Sequence, residues 1–298
     1  MWRKRLKNQT IFYVVRIFLA FINAIPRTTA LSVCDTLGRI VCLCATGTRL
    51  RAIVNLNRGY GSERTAAEIR SMAVQVFRDL GRNAVDAVRL SQITPETVGC
   101  LVAVEGMEHL EAAYAEGKGV LAVSGHMGNF ELLGAYLAMK GFRVTVVAAA
   151  LYDERLDALL GANRIRGGLN VVQRAHATSA VLRALRRGEV VGLLVDQDTR
   201  VPGTFVRFFD HPTHTPVGPA VIAGRTGVPI VPMGIRRRED DTHLITIKPP
   251  ISVEDRPSEE VVNQAVQKYT SEIESLIRQS PTQWVWMHDR WKTKPPAS

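Results

Sequence analysis

The segment HMGNFE at residues 126–131 carries the two side chains whose types and spacing are best suited to chemistry. The apolar run at 120–123 is typical of a buried strand of a parallel sheet, and residues 129–138 recover helical spacing. A carboxylate on one imidazole nitrogen fixes the tautomer and raises the basicity of the other nitrogen. The spacing therefore predicts that His126 is a general base for a hydroxyl group and that Glu131 orients it. A structural histidine near a strand end is the alternative interpretation.

Polar residues also follow a second apolar run. The acidic tripeptide DQD at residues 196–198 comes directly after the predicted strand 190–195, so it would lie at the same carboxyl edge of the sheet as His126. Acidic groups there could orient a substrate hydroxyl, hold a basic residue in place or cap a turn. Arg164 and Arg166 end a predicted helix, where an arginine either binds phosphate or complements the helix C-terminus.

The elements that must position these residues alternate regularly. Strands and helices follow one another from about residue 100 to residue 235. This order predicts an α/β fold with a mostly parallel sheet flanked by helices. Helices are expected within residues 63–90, and residues 49–60 are interpreted as a basic connector. We divide the chain into a basic N-terminal segment with membrane-associated helices, residues 1–48, and an α/β domain, residues 49–298.

The composition bounds the class of protein. The chain has 298 residues, 46% of them hydrophobic, which is enough for a large core and excludes a disordered chain. Its formal net charge of +10 favours an anionic partner such as a phospholipid surface, a nucleic acid or an acidic protein. The four cysteines lack the spacing of a zinc site or a disulfide framework, and HMGNFE lacks the two histidines of a zinc hydrolase helix. We therefore expect reduced thiols and no metal.

The N-terminal segment is basic at its start and apolar afterwards. The apolar stretch at residues 11–25 is shorter than the roughly 20 residues that cross a bilayer. A second apolar stretch covers residues 31–45. We interpret the two as a retained pair of membrane-associated helices, with the basic terminus on the cytoplasmic, anionic side of the membrane. A buried N-terminal helix of a soluble domain is the alternative.

Other regions fit a lipid substrate or an acidic partner. Segments 203–209 and 212–218 are rich in aromatic and small residues, which suits an apolar ligand chain or an ordinary strand and turn. Arginines within residues 183–187 and at 236–238 are interpreted as solvated faces or as docking points for an acidic carrier protein or lipid phosphates. Tryptophans among basic residues at 284–291 are typical of a membrane-interface belt, or they cap the core.

Taken together, these motifs resemble the late acyltransferases of lipid A biosynthesis. This is the lauroyl/myristoyl acyltransferase family within the wider lysophospholipid and glycerolipid acyltransferase group, and the resemblance covers essentially the whole chain. It depends on the HX4D/E motif at 126–131, on Arg164 and on the acidic tripeptide. It continues in four later segments: GTFVRFF at 203–209, TPVG at 215–218, TGVPIVP at 226–232 and WVWMHDRWKTKP at 284–295.

The resemblance implies an enzyme, a membrane-associated O-acyltransferase. It would move a fatty acyl chain from a thioester of acyl-carrier protein or coenzyme A to a hydroxyl group of a lipid A precursor or a similar glycolipid. In that reaction His126 is the base, Glu131 orients it and Arg164 stabilises the oxyanion. No covalent acyl-enzyme on Ser124 is expected, because the GxSxG pattern is absent. The resemblance implies no cofactor besides the acyl donor.

The expected partners are acyl-carrier protein, a lipid acceptor and the phospholipid bilayer, without nucleic acid. The expected location is the cytoplasmic face of the bacterial inner membrane, in lipopolysaccharide biosynthesis. The residues expected to bind substrate are Asn129, Arg166, Asp196, Gln197, Asp198 and Thr215.

Two other functions remain open on sequence grounds. The same chemistry could act on a different acceptor, such as a phosphatidylinositol mannoside, a glycerophospholipid or an aminolipid. A basic membrane- or nucleic-acid-binding protein without chemistry is the other class, and it would bind polyanions in a salt-sensitive way. The acidic tripeptide and the HX4D/E motif at one sheet edge argue against that class.

Overall fold

The computed structural model describes residues 2–151, 153–174 and 177–296, with side chains from residue 8 onward. The basic side chains expected at the membrane surface in residues 3–7 therefore lie outside the described part. The described helices are α1 (Trp2–Ala24), α2 (Arg27–Cys44), α3 (Thr46–Tyr60), α4 (Ala66–Val88), α5 (Val98–Leu101), α6 (Met107–Ala115), α7 (Phe130–Met139), α8 (Glu154–Arg166), α9 (Ala177–Arg186), α10 (Gly218–Thr226) and α11 (Glu259–Gln279).

Seven strands form one sheet in the order β1-β9-β8-β2-β5-β3-β4. Their neighbours are parallel except for β8 and β9, which pair antiparallel, so the predicted mostly parallel α/β fold is confirmed. Two further strands form a separate antiparallel hairpin. The strands are β1 (Val102–Glu105), β2 (Val120–Ser124), β3 (Val144–Ala148), β4 (Leu169–Gln173), β5 (Val190–Leu194), β6 (Gly203–Phe208), β7 (His211–Pro216), β8 (Ile230–Arg237) and β9 (His243–Ile247).

The central strand β2 is buried on both of its faces. Leu121 and Val123 contribute to a core with α3, α4, α10, α11 and the C-terminal tryptophans. Val120 and Ala122 contribute to a second core with α6 and α7 on the opposite face. Burial on both faces explains why the sequence of β2 is a continuous apolar run, without alternating polar residues.

The N-terminal helices pack partly against the domain. Residues 49–60 are helical, so the predicted connector is wrong: Ala52 and Leu56 have helical spacing and are buried against α4. Ile22 of α1 and Leu31 of α2 are buried in a small cluster with Val85. Among the described residues, no single helix has both the length and the hydropathy of a membrane span, and α2 with α3 reaches them only as a pair bent by 94°. Membrane association of these helices stays a prediction.

A buried charge cluster joins the N-terminal helices to the sheet. Asp86 of α4 accepts hydrogen bonds from Arg27 of α2 (2.7 and 2.8 Å), from Arg237 of β8 (2.8 Å) and from His243 of β9 (2.9 Å). The Arg237 side chain is only 3% exposed. The arginines at 236–238 are therefore not simply a solvated face, because the middle one is part of the core.

The C-terminal tryptophans lie inside the protein. Trp284, Trp286 and Trp291 are at most 3% exposed, and they pack against Phe208 and Phe209 at the end of the β6–β7 hairpin. Of the two interpretations given for them, packing on the core is the one observed and the membrane-interface belt is not, because the rings are buried with residues of the hairpin and α11.

Candidate active site

Two neighbouring parallel strands bring the predicted base and the acidic tripeptide together. Ser124, the last residue of β2, pairs in register with Leu194, the last residue of β5. His126 and Asp196 each come two residues after this pair. They therefore leave the sheet at the same edge and at the same height, as expected for the carboxyl ends of parallel strands.

The carboxylate bound to His126 belongs to Asp196 and not to Glu131. His126 Nδ1 lies 2.7 Å from Asp196 Oδ1, and the backbone N–H of His126 donates to Asp196 Oδ2 at 2.6 Å. The predicted orientation of His126 by Glu131 is thus corrected. Holding a basic residue in place was one of the roles predicted for the acidic tripeptide, and Asp196 has that role.

Asp196 is held as an anion. Burial favours its neutral form, but the charge of His126 and the hydrogen bonds from His126 and Trp284 outweigh burial and lower the pKa of Asp196 to about 2. Burial also favours neutral His126, yet the charge and hydrogen bond of Asp196, with a smaller contribution from Glu131, raise the pKa of His126 above its ordinary value. The pair therefore has an ionised carboxylate beside an unusually basic imidazole.

Nε2 is left as the proton acceptor of His126. With the Nδ1 proton placed towards Asp196, the neutral ring keeps its lone pair on Nε2. The His126 side chain is 26% exposed whereas that of Asp196 is 1% exposed, so an outside molecule reaches the ring and not the carboxylate. The ring also packs edge-on against Phe130, with 5.3 Å between the ring centroids.

Trp284 is a member of the site that the sequence did not reveal. Its Nε1–H donates to Asp196 Oδ2 at 2.7 Å. The segment around it is attached to the loop after β2, because Met127 forms a β-bridge with Trp284 and the Gly128 N–H donates to Gln283 O at 2.9 Å. Trp284 lies 158 residues after His126 in the chain, and the signals for it were its residue type and the family-like segment 284–295, neither of which indicated Asp196 as its partner.

Glycines in the loop permit the close approach of these groups. A side chain at Gly125 would place its Cβ 3.0 Å from Asp196 Oδ2. Gly128 has a positive φ of 54°, and a Cβ there would lie 1.9 Å from Ile235 O, so only glycine fits.

Glu131 and Arg164 form a second pair at this edge. Arg164 Nε donates to Glu131 Oε2 at 2.9 Å, and Nη2 donates to Oε1 at 2.5 Å. Glu131 lies in the first turn of α7 and faces α8, which explains why it meets Arg164 and not the imidazole. Both side chains are mostly buried, at 12% and 15% exposure. Two of the guanidinium nitrogens are thus already engaged.

An apolar cavity of about 80 Å³ opens beside the two pairs. Its polar lining residues are Ser124, Glu131 and Arg164, and Phe130 lies beside them. Its walls come from β2, β3, β4, β5, β8, α7 and α8, and they include Leu133, Gly134, Leu137, Val144, Val146, Leu169, Val190, Gly192 and Met233. The cavity therefore extends into the core beneath α7. Phe130, which packs on the His126 ring, connects its lining to the candidate base.

The other predicted substrate residues occupy different positions. Asn129 caps α7 by accepting the Leu132 N–H at 3.1 Å. Arg166 is exposed at the end of α8, and Gln197 is half-buried between its two acidic neighbours. We find no hydrogen bond of either side chain within the described part of the chain.

Asp198 and Thr215 have structural contacts. Asp198 accepts hydrogen bonds from the backbone and hydroxyl groups of Thr293, at 2.6 and 2.9 Å, and so attaches the C-terminal segment. Thr215 is 1% exposed and accepts a hydrogen bond from Arg290 at 2.6 Å. Its hydroxyl is thus engaged inside the protein, and substrate binding by Thr215 stays a prediction. In the part of the chain that the structure describes, no three His, Cys, Asp or Glu side chains are grouped to hold a metal ion.

Comparison with known proteins supports the resemblance to the acyltransferases of lipid A biosynthesis. The family model described as bacterial lipid A biosynthesis acyltransferase matches residues 2–293. The lipid A biosynthesis palmitoleoyltransferase of Escherichia coli K12 is 27% identical over 273 residues, which cover 85% of this chain and 86% of that protein. The lipid A biosynthesis lauroyltransferase of the same organism is 26% identical over 237 residues, 78% of this chain and 76% of that protein.

A relative with a different acceptor matches a shorter region. The phosphatidylinositol mannoside acyltransferase of Mycobacterium tuberculosis CDC 1551 / Oshkosh is 32% identical over 133 residues, 43% of this chain. The match spans 42% of that protein's length. Since the family match extends over almost all 298 residues, the chain belongs to the bacterial lipid A biosynthesis acyltransferase family and is an acyltransferase.

Proposed function

We propose that this acyltransferase moves a fatty acyl group from a thioester to a hydroxyl group of a glycolipid, with His126 as general base. The observation that carries the proposal is the buried, ionised Asp196 on Nδ1 of a partly exposed, basic His126. The names of the relatives, which act on lipid A and on phosphatidylinositol mannoside, support a glycolipid acceptor.

The proposed reaction needs one proton acceptor and no acyl-enzyme. His126 Nε2 takes the proton of the acceptor hydroxyl as its oxygen attacks the thioester carbonyl. The C–S bond then breaks, the ester remains on the glycolipid and the thiolate takes the proton back from Nε2. Asp196 stabilises the imidazolium that forms between these steps, and the Trp284 N–H keeps the carboxylate aimed at Nδ1.

We assign the apolar cavity to the acyl chain of the donor. It begins next to Phe130, which packs on the His126 ring, and its walls are aliphatic side chains and glycines. Burying a methylene group there is favourable by about 0.8 kcal/mol. Arg164 Nη1 is not engaged with Glu131 and is our candidate donor to the oxyanion at the polar lining of the cavity.

The donor and the membrane location belong to the same proposal. The exposed arginines Arg183 and Arg186 on α9 support an acidic carrier protein as the source of the acyl group, with coenzyme A as the alternative. We propose that the enzyme acts at the cytoplasmic face of the inner membrane, where a glycolipid acceptor and a cytoplasmic donor meet. No cofactor besides the donor is proposed.

The test is acyl transfer by the purified protein from labelled acyl-carrier protein and from acyl-coenzyme A. The acceptors are a lipid A precursor and a phosphatidylinositol mannoside. We expect His126→Ala to reduce transfer by about 10²- to 10⁴-fold, the contribution of a general base. His109→Ala, a half-buried histidine on α6, is the matched control and should retain activity. Full activity of His126→Ala would refute the mechanism, and the labelled product identifies the acceptor.

A further inference from the structure

A cleft between α2 and α4 lies outside the catalytic edge. It has a volume of about 420 Å³. We call it the α2–α4 cleft, and its lining residues are Arg39, Leu43, Ser71, Val74, Gln75 and Arg78. Two arginines, a hydroxyl group and an amide around one opening are the groups that bind a phosphate ester in proteins.

The two arginines of the cleft differ in their hydrogen-bond partners. Arg78 is fixed by Asp35, which accepts from Nε and Nη2 at 2.9 to 3.1 Å, and by Gln75, which accepts from Nη1 at 3.0 Å. Arg39 is exposed, and no partner of its guanidinium is found in the described part of the chain. Asp79 accepts from the Gln75 amide at 2.7 Å, so Arg78 and Gln75 are both engaged with neighbouring side chains. Arg39 is therefore the cation of the cleft whose donors are available to a ligand.

An exposed apolar surface begins at the mouth of the cleft. We call it the α2–α3 elbow, and its residues are Leu37, Ile40, Val41, Leu43, Leu50 and Val54, each 38–59% exposed. Single exposed apolar residues are ordinary, whereas several exposed on two consecutive helices are typical of an interaction surface. Residues 27–60 also contain five arginines and one acidic residue, the composition of a helix at an anionic lipid surface.

We propose that the α2–α4 cleft binds the phosphate of an anionic phospholipid whose acyl chains lie along the α2–α3 elbow. Leu43 belongs to both surfaces, so a headgroup in the cleft has its chains directly on the apolar residues. Free phosphate would meet the same arginines, but it would leave the elbow uncovered. This lipid site is separate from His126 and does not depend on the proposed reaction.

The test is native mass spectrometry of the full chain in a neutral detergent, with phosphatidylglycerol or phosphatidylcholine added. A neutral micelle removes the general attraction of a charged membrane, so a one-to-one complex indicates lipid bound at a specific site such as the cleft. We expect wild type to retain one phosphatidylglycerol and Arg39→Gln to bind it at least about tenfold more weakly, the contribution of a charge-assisted hydrogen bond. Arg225→Gln changes the charge equally on α10, outside residues 27–60, and should bind as wild type does.

A second variant and two further measurements test the lipid site independently of Arg39→Gln. Ser71→Glu places a carboxylate in the cleft without removing an arginine, and it should also release the lipid. Equal binding by Arg39→Gln and wild type would overturn the proposal, as would equal retention of phosphatidylcholine. Inorganic phosphate that binds as tightly as phosphatidylglycerol would show a free-anion site instead. A dimer that dissociates in Val54→Asp would show that the elbow binds a second copy of the chain.

Discussion

At the scale of single residues, the charge of Asp196 controls the basicity of His126. The carboxylate is buried and bound by three N–H groups, from the His126 ring, the His126 backbone and Trp284. The imidazole is also partly exposed, at 26%, whereas the carboxylate is 1% exposed. Removing the negative charge while keeping the shape of Asp196 should therefore change the pH dependence of the reaction as well as its rate.

We predict that Asp196→Asn lowers the acyl transfer rate by about 10²-fold or more and moves the acidic limb of the pH–rate profile to lower pH. The base must be neutral to act, so wild-type activity should fall as the pH drops through the raised pKa of His126, above 6.5. Without the anion, burial is the largest remaining influence on the ring, and it lowers that pKa. The measurement is the initial rate of transfer against pH.

Trp284→Phe is the comparison variant for this profile. It removes one donor to Asp196 but keeps the carboxylate ionised, so it should reduce the rate less than Asp196→Asn and leave the acidic limb near its wild-type position. An acidic limb that is identical in wild type and Asp196→Asn would show that another group is titrating.

At the scale of elements, the parallel pair β2 and β5 forms the site and α7 covers the cavity. The HX4D/E motif correctly indicated a strand, a turn and a helix. It did not indicate the direction of Glu131, because the first turn of α7 faces α8 and Arg164 rather than the end of β5. Gly134 of α7 and Gly192 of β5 leave the space between these elements open.

We predict that Gly134→Val shortens the acyl chain that the enzyme prefers without abolishing transfer. A Cβ at this position lies 3.4 Å from both Leu169 methyl groups, so the added methyl groups of valine extend into the cavity. The measurement is the rate with donors of increasing chain length. Gly161→Val on α8, where a Cβ meets nothing within 4 Å, is the control and should keep the wild-type preference. An unchanged preference in Gly134→Val would place the chain elsewhere.

At the scale of the whole molecule, the Asp86 cluster connects the N-terminal helices to the sheet. It joins α2, α4, β8 and β9 through one carboxylate, which is 1% exposed. Burial opposes ionisation of Asp86, but the hydrogen bonds and charges of Arg27, His243 and Arg237 lower its pKa well below the ordinary value. The pKa of His243 is lowered, mainly by burial.

We predict that Asp86→Asn reduces the free energy of unfolding by about 3–5 kcal/mol, because it leaves Arg237 as a buried charge without its partner. Denaturation by urea at neutral pH measures this. Asp35 on α2 pairs with Arg78 on α4, and their side chains are 22% and 39% exposed. Asp35→Asn removes this partly exposed ion pair and should reduce the free energy of unfolding by about 1 kcal/mol or less. Equal losses in both variants would contradict the role assigned to the buried cluster.

The same cluster predicts sensitivity to acid. A carboxylate with a lowered pKa stabilises the fold fully above about pH 4, its unfolded value, and this contribution declines as the pH falls further. Neutral His243 adds to the loss below about pH 6.5, since the unfolded chain then takes up a proton that the folded chain resists.

Sequence patterns predict the α/β fold, the position of His126 at the end of a central strand and the family. These depend on local features: an apolar run, a turn, helical spacing and motifs in fixed order. The folded chain was needed to show which carboxylate binds His126, that Trp284 supports it, and that the C-terminal tryptophans and Arg237 are buried. Such contacts depend on strand register and on packing between segments 70 or more residues apart, which no local pattern records.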